Sequence, residues 1–112
     1  LVDTWHVERG GMTAADIRKL PLQFLRAVEL DDAGPEVMGS LFNDSTHFRR
    51  PPGEGSIDIP AQLQAILDVG YRGYFGVEII AAYHRHLPLE IAARTAFDAT
   101  MQQFRLVELP AD

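Results

Sequence analysis

The sequence has no cysteine, which excludes disulfides, thiolate nucleophiles and cysteine-held zinc and leaves only carboxylate or imidazole ligands for any metal. Basic residues are scarce: 10 Lys and Arg stand against 16 Asp and Glu, a formal net charge of -6, which disfavours general binding to nucleic acid or anionic lipid. No apolar run approaches the roughly 20 residues that span a bilayer, and the first residues are neither basic nor signal-like; a cytoplasmic protein with no membrane partner is expected. What is present is ordinary for a globular domain. Apolar residues make up 46% and charged residues 23% of 112, enough for one core.

Strand and helix patterns alternate along the chain. Leu1 to His6 reads as a strand with no lead-in, as though cut from something longer. A short helix over about Thr13 to Leu20 follows, with Thr13 and Asp16 as a capping pair and Pro21 as its stop. Phe24 to Leu30 reads as a second strand. Asp31 to Ser56 is a long polar stretch rich in Gly and Pro, of a length that is usually functional or disordered. A helix over about Ile59 to Val69 has Asp58 as cap, Pro60 in its first turn and Gly70 as terminator, with Leu63, Ile66 and Leu67 on one face. Tyr74 to Ile80 is a nearly all-apolar strand, and the last helix, from about Pro88, carries Leu89, Ala93, Phe97, Met101 and Phe104 as one stripe expected to be buried. Three strand-then-helix units predict an α/β fold with a parallel sheet. Three strands cannot close a barrel and would leave apolar strands uncovered, so the chain is expected to be part of a larger assembly or to self-associate.

Reactive groups in such folds gather at the C-terminal strand ends, and each strand here brings a carboxylate. Asp3 lies in the first, Glu29 with Asp31 and Asp32 in and after the second, and Glu78 in the third. Converging carboxylates repel unless a cation or proton sits among them, which points to a divalent metal. Glu78 is the strongest candidate, because an ionised Glu in an apolar strand incurs a desolvation cost unless paired or metal-bound; a single acid at Asp3, Glu29, Asp31 or Asp32 is more often a cap or a solvated loop residue. His6 could be a ligand or a substrate contact, and Trp5 a site wall or a core residue. In the long stretch, Arg49 and Arg50 followed by Pro51-Pro52-Gly53-Glu54-Gly55 could clamp a hydroxylated or phosphorylated substrate with guanidinium and backbone N–H donors, or be a proline-stiffened surface loop. His84-Arg85-His86 could line the site or face solvent. Asn43-Asp44-Ser45 matches a glycosylation acceptor but carries no weight without a secretory signal.

Taken in order, Asp3-Thr4-Trp5-His6, Val28-Glu29-Leu30-Asp31-Asp32-Ala33, Arg49-Arg50-Pro51-Pro52-Gly53-Glu54-Gly55 and Gly70-Tyr71-Arg72-Gly73-Tyr74-Phe75-Gly76-Val77-Glu78-Ile79 resemble the xylose isomerase-like TIM-barrel superfamily of sugar phosphate isomerases and epimerases. The resemblance implies that residues 1–112 are the C-terminal portion of one such domain, the last three βα units (strands six to eight) of an eight-unit (β/α)8 barrel of about 250 residues. It further implies a divalent metal (Mn²⁺, Mg²⁺ or Co²⁺) held by Asp3, Glu29 and Glu78, with Glu29 standing where the family often has His and the fifth-strand Glu without a counterpart. His6 and Arg49 or Arg50 would bind a sugar or sugar phosphate; Trp5, read from its place beside His6, would stack on the sugar face. In the family's epimerases two metal-bound glutamates exchange a proton at the carbon beside the carbonyl while the metal acts as Lewis acid. Glu78 would be one of them, and the isolated chain would be inactive.

The same barrel serves dehydratases of inosose or dehydroshikimate, the nearest alternative, because their proton abstraction begins identically. An apurinic-site endonuclease needs a histidine-rich multi-metal site and a DNA-compatible surface, which 4 His and a net charge of -6 oppose. A non-catalytic remnant that binds a partner or sugar is the third possibility.

Overall fold

The computed structural model of the protein describes residues 1–111. Its element order is β1 (Val2–Asp3), α1 (Thr4–Arg9), α2 (Ala14–Arg18), a 3-10 turn (Leu22–Phe24), β2 (Val28–Leu30), α3 (Leu41–His47), α4 (Ile59–Val69), β3 (Phe75–Val77), α5 (Ala82–Arg85) and α6 (Leu89–Phe104). The strands form a parallel sheet in the order β1-β2-β3, the expected α/β arrangement. No helix among the described residues is long and apolar enough to cross a membrane.

The strands are shorter than the sequence suggests. The expected strand over Leu1 to His6 stops at Asp3, because the Asp3 Oδ1 accepts from the backbone N–H groups of Trp5 (2.9 Å) and His6 (3.2 Å) and starts a helix there. Trp5 and His6 therefore sit on a helix. In the expected second strand the 3-10 turn after Pro21 takes up Leu22–Phe24, and pairing begins only at Val28. The polar stretch is not structureless: Ser40 Oγ accepts from Asn43 N at 3.0 Å and opens α3. The signals around α4 do act as read. Asp58 caps it, Pro60 lies in its first turn, and Gly70 closes it at φ 106.

One core cluster joins Val2, Val7, Ile17, Leu25, Val28, Leu30, Ala65, Ile66 and Tyr71, placing α2 and α4 against the sheet. A fully buried Val, Leu or Ile among them contributes about 1.5–3 kcal/mol of transfer free energy. The apolar stripe of α6 is a correction. Leu89 is 84% and Phe97 64% exposed, whereas Thr100 and Gln103 are buried and Phe104 packs edge-on against Phe75 at 5.1 Å. The half-buried face of α6 carries Ala92, Ala96 and Ala99, whose small side chains let the helix lie close to β3 and α4, so its larger apolar residues turn outward.

Candidate functional site

Strand pairing assembles the acidic residues. In register, Asp3 stands opposite Glu29, and Glu29 opposite Gly76, so two carboxylates share one row of the sheet. Asp31 follows Glu29 by two residues and thus falls on the same face. Glu78 comes one residue after β3, its N–H donating to the Leu30 carbonyl at 3.1 Å. Asp3, Asp31 and Glu78 each present an oxygen within 4.8 Å of the others.

Arg49 lies at the centre of these three. Its Nη1 donates to Asp31 Oδ2 at 2.5 Å, Glu78 Oε2 at 2.9 Å and Asp3 Oδ2 at 3.0 Å. Nε donates to the Ser45 carbonyl at 2.9 Å and Nη2 to Ser45 Oγ at 2.8 Å. The guanidinium carbon stands 5.1 Å from the centre of the Trp5 ring, and His6 Nε2 is 3.5 Å from Nη2. Asp3, Asp31 and Arg49 are buried, while the Glu78 side chain remains 40% exposed. One buried guanidinium among three carboxylates leaves negative charge uncompensated. Burial, and then the neighbouring Asp3 carboxylate, push the Asp31 carboxyl up to about 7. Glu29 is raised by burial and by the Glu78 and Asp3 charges, so it faces the same centre from beside it.

An oxygen-only donor set spread over 4.8 Å matches what a hard divalent ion with ligands at about 2.0–2.6 Å bridges. The residues present therefore fit a metal of this class, with Asp3, Asp31 and Glu78 as the convergent donors and Glu29 next to them.

The remaining candidates divide clearly. Trp5 is buried with Ala33, Ile57 and Ile59, yet one face of its ring lies against Arg49, so it is core and site wall together. His6 is exposed at the rim. Arg50 is not brought to the centre: it is exposed, its Nη1 donating to the Glu54 carbonyl at 3.3 Å and its guanidinium lying against Gly34. The Gly-rich turn does not offer its N–H groups to a ligand either. Gly53 and Gly55 donate to Asp32 Oδ2 at 3.0 and 3.1 Å, while Ala33 and Ile57 donate to Oδ1 at 2.8 and 3.0 Å. Asp32 is thus the anchor of that turn. Arg85 donates to the Thr46 carbonyl, and His86 contacts the Ala82 carbonyl, so neither reaches the acidic residues.

Asp31 and Asp44 carry more of the site than their sequence context suggests. Asp31 was legible only as half of an acidic pair; its same-face spacing from Glu29 is what separates it from Asp32. Asp44 accepts from Trp5 Nε1 at 2.8 Å, Arg9 Nε at 3.0 Å and Met38 N at 3.0 Å, fastening α3 to α1, and nothing local in the sequence marks that role. Between these helices lies an open cavity of about 380 Å³, lined by Trp5, His6, Arg9, Leu41, Phe42 and Ser45; it meets the acidic centre only through Trp5, His6 and Ser45, which contact Arg49.

Residues 1–103 match the family model of the xylose isomerase-like TIM barrel. The chain belongs to this family. An inosose isomerase of Halalkalibacterium halodurans is 26% identical over 102 residues, 91% of this chain and 35% of that protein. A 3-dehydroshikimate dehydratase of Pseudomonas putida is 32% identical over 88 residues, 79% of this chain and 14% of that protein. The crystal structure of the IOLI protein with a bound zinc atom superposes with a TM-score of 0.81 at 24% identity, over 91% of this chain and 36% of that one, and shows the shared fold. The chain spans about a third of the length of the isomerase it matches.

Proposed function

We propose that residues 1–112 are the C-terminal three βα units, strands six to eight, of a xylose isomerase-like barrel that isomerises or epimerises a small sugar or sugar phosphate. The observation that carries this reading is the convergence of Asp3, Asp31 and Glu78 at the C-terminal end of a parallel sheet, where this architecture gathers its reactive groups. Asp3, Glu78 and the neighbouring Glu29 and Asp31 would hold a divalent ion such as Mn²⁺, Mg²⁺ or Co²⁺. Bound there, the ion supplies Lewis-acid polarisation of a carbonyl oxygen.

The chain's own residues do the rest. Glu78, half-exposed and tied to Arg49 through Oε2, is placed to take the proton from the carbon beside the carbonyl and return it. His6 at the rim donates to or accepts from substrate hydroxyls. Trp5 and the cavity between α1 and α3 give the sugar an apolar wall. The second acid/base belongs to a strand outside this chain, so turnover belongs to the complete barrel.

A dehydratase shares the first proton abstraction, and the match to a 3-dehydroshikimate dehydratase favours keeping it as the second reading. The test is the complete barrel in D₂O with keto-sugars, inosose and 3-dehydroshikimate, followed by NMR. Deuterium incorporated beside the carbonyl, with an isomeric product and loss of both on Glu78→Gln, is the expected result. Loss of water from the product assigns the dehydratase. No exchange with any of these compounds overturns both readings.

A further inference from the structure

The place a divalent ion would take among Asp3, Asp31 and Glu78 is filled by a group of the protein itself. A single nitrogen, Arg49 Nη1, is within 2.5–3.0 Å of one oxygen from each of the three, and those oxygens lie within 4.8 Å of one another. Two cations cannot share that position. The guanidinium is not forced there by a lack of other partners, since its Nε and Nη2 are held by Ser45 from the other side. The Arg49 backbone is also pinned, its N–H donating to Ile80 at 3.2 Å, and the adjacent Arg50 is paired with Asp32 in both directions at 2.8 and 2.9 Å. Any displacement of Arg49 is therefore a rotation of its side chain, which must give up the three carboxylates at Nη1.

We infer that Arg49 is the resident counter-cation of the acidic centre, and that a divalent ion binds by displacing its guanidinium, which then turns toward the substrate cavity. This rests on the metal-centre reading above and adds an order of events to it. Without metal, Arg49 neutralises part of the carboxylate charge and keeps the three acids together. With metal, the released guanidinium becomes a free, planar donor beside His6 and Ser45, suited to the oxygens of a hydroxylated or anionic ligand. Arg49 is therefore a positioning residue that makes the ligand site complete only after the ion is in place. It also lowers the apparent metal affinity by the fraction of molecules in which the guanidinium occupies the centre.

The molecule carries its own reporter. Trp5 is the sole tryptophan, and Arg49 lies 5.1 Å from its ring, so withdrawal of the guanidinium changes the indole's surroundings. The experiment titrates the 112-residue protein with Mg²⁺ and with Zn²⁺, neither of which is paramagnetic, recording Trp5 emission and calorimetric binding together for wild type, Arg49→Lys and Arg49→Gln.

The expected result is a Trp5 change in wild type with the same midpoint as metal binding, smaller in Arg49→Gln. That variant should bind metal about tenfold more tightly or better, and Arg49→Lys, which keeps the charge, should lie between. If metal binds wild type with Trp5 emission unchanged and Arg49→Gln has the wild-type affinity, the displacement is wrong while the metal centre stands. If neither protein binds metal, both are wrong. Should Arg49→Gln fail to fold, Arg49→Lys decides: tighter metal binding than wild type with a smaller Trp5 change supports displacement, and wild-type affinity with the wild-type Trp5 change overturns it, since the Trp5 backbone N–H also bonds Asp3 and Asp31 and responds to the ion itself.

Discussion

The indole N–H of Trp5 donates to the Asp44 carboxylate at 2.8 Å, across 39 residues of chain. This bond, with the Arg9 ion pair at 3.0 Å to the same oxygen, carries α3 over the site and fixes the ring on which Arg49 rests. Burial opposes the ionised form of Asp44, but Arg9, the Met38 N–H and Trp5 together hold its carboxyl below the usual range. Asp44→Ala would leave Trp5 Nε1 and Arg9 without their acceptor, a loss of about 3–5 kcal/mol as for other broken buried pairs. Urea denaturation measures it, and the Trp5 emission of the folded variant should also change.

Asp31 and Asp32 hold different parts of the fold: Asp31 Oδ1 accepts from Trp5 N and Thr4 Oγ1, both at 2.8 Å, at the start of α1, and Asp32 anchors the Gly-rich turn. Four backbone N–H groups converge on Asp32, so Asp32→Ala should cost about 3 kcal/mol or more, because buried donors without acceptors bear the full desolvation penalty. Asp32→Asn keeps one acceptor oxygen and should cost less. A Cβ at Gly55 would collide with Asp32 Oδ1 and the Ala33 carbonyl, so Gly55→Ala should destabilise the same turn by about 1–3 kcal/mol. Thermal melts of the three variants in that rank order are the check.

The acidic centre sets a pH dependence. The folded-state value of about 7 for Asp31 lies above its ordinary 3.8, so the stability it contributes is complete below about 3.8 and is lost as pH rises through about 7. Glu29 and Asp32 are raised as well and act in the same direction. In EDTA, wild type should therefore lose melting temperature between about pH 4 and about pH 7 more steeply than Asp31→Asn. Parallel slopes would show that Asp31 does not titrate in this range.

The outward stripe of α6 gives a sharper check on packing. Leu89 and Phe97 are mostly exposed, so Leu89→Ser and Phe97→Ser should change the stability of this chain by no more than about 0.5 kcal/mol. A buried stripe would instead cost about 2–5 kcal/mol per truncation. Chemical denaturation distinguishes the two.

How much of this was legible in the sequence varies by element. α4 announced both of its ends through Asp58, Pro60 and Gly70, since capping and left-handed closure are local chemistry. Glu78 was visible because the apolar run around it predicts burial at a cost, and Asp3 because it is the carboxylate of the first strand. The start of α1 at Thr4 was hidden because Asp3 serves as helix cap as well as site acid. α3 has no amphipathic pattern, with Leu41 and Phe42 both exposed, so only its Ser40 cap marked it. The distinction between Arg49 and Arg50 was out of reach, because the pairing of Arg50 with Asp32 that turns one side chain inward and the other outward is a tertiary contact. The face of α6 was misread because apolar size, rather than the small residues that permit close packing, dominated its periodicity.

The central claim is that Asp3, Asp31 and Glu78 form a metal centre. Native mass spectrometry of the purified protein with and without Mn²⁺, read against its denatured mass and repeated for Asp3→Asn and Glu78→Gln, counts chains and ions together. About one ion per assembly in wild type, lost in both variants, is expected. A wild-type protein that stays metal-free, or variants that retain the ion, would contradict it.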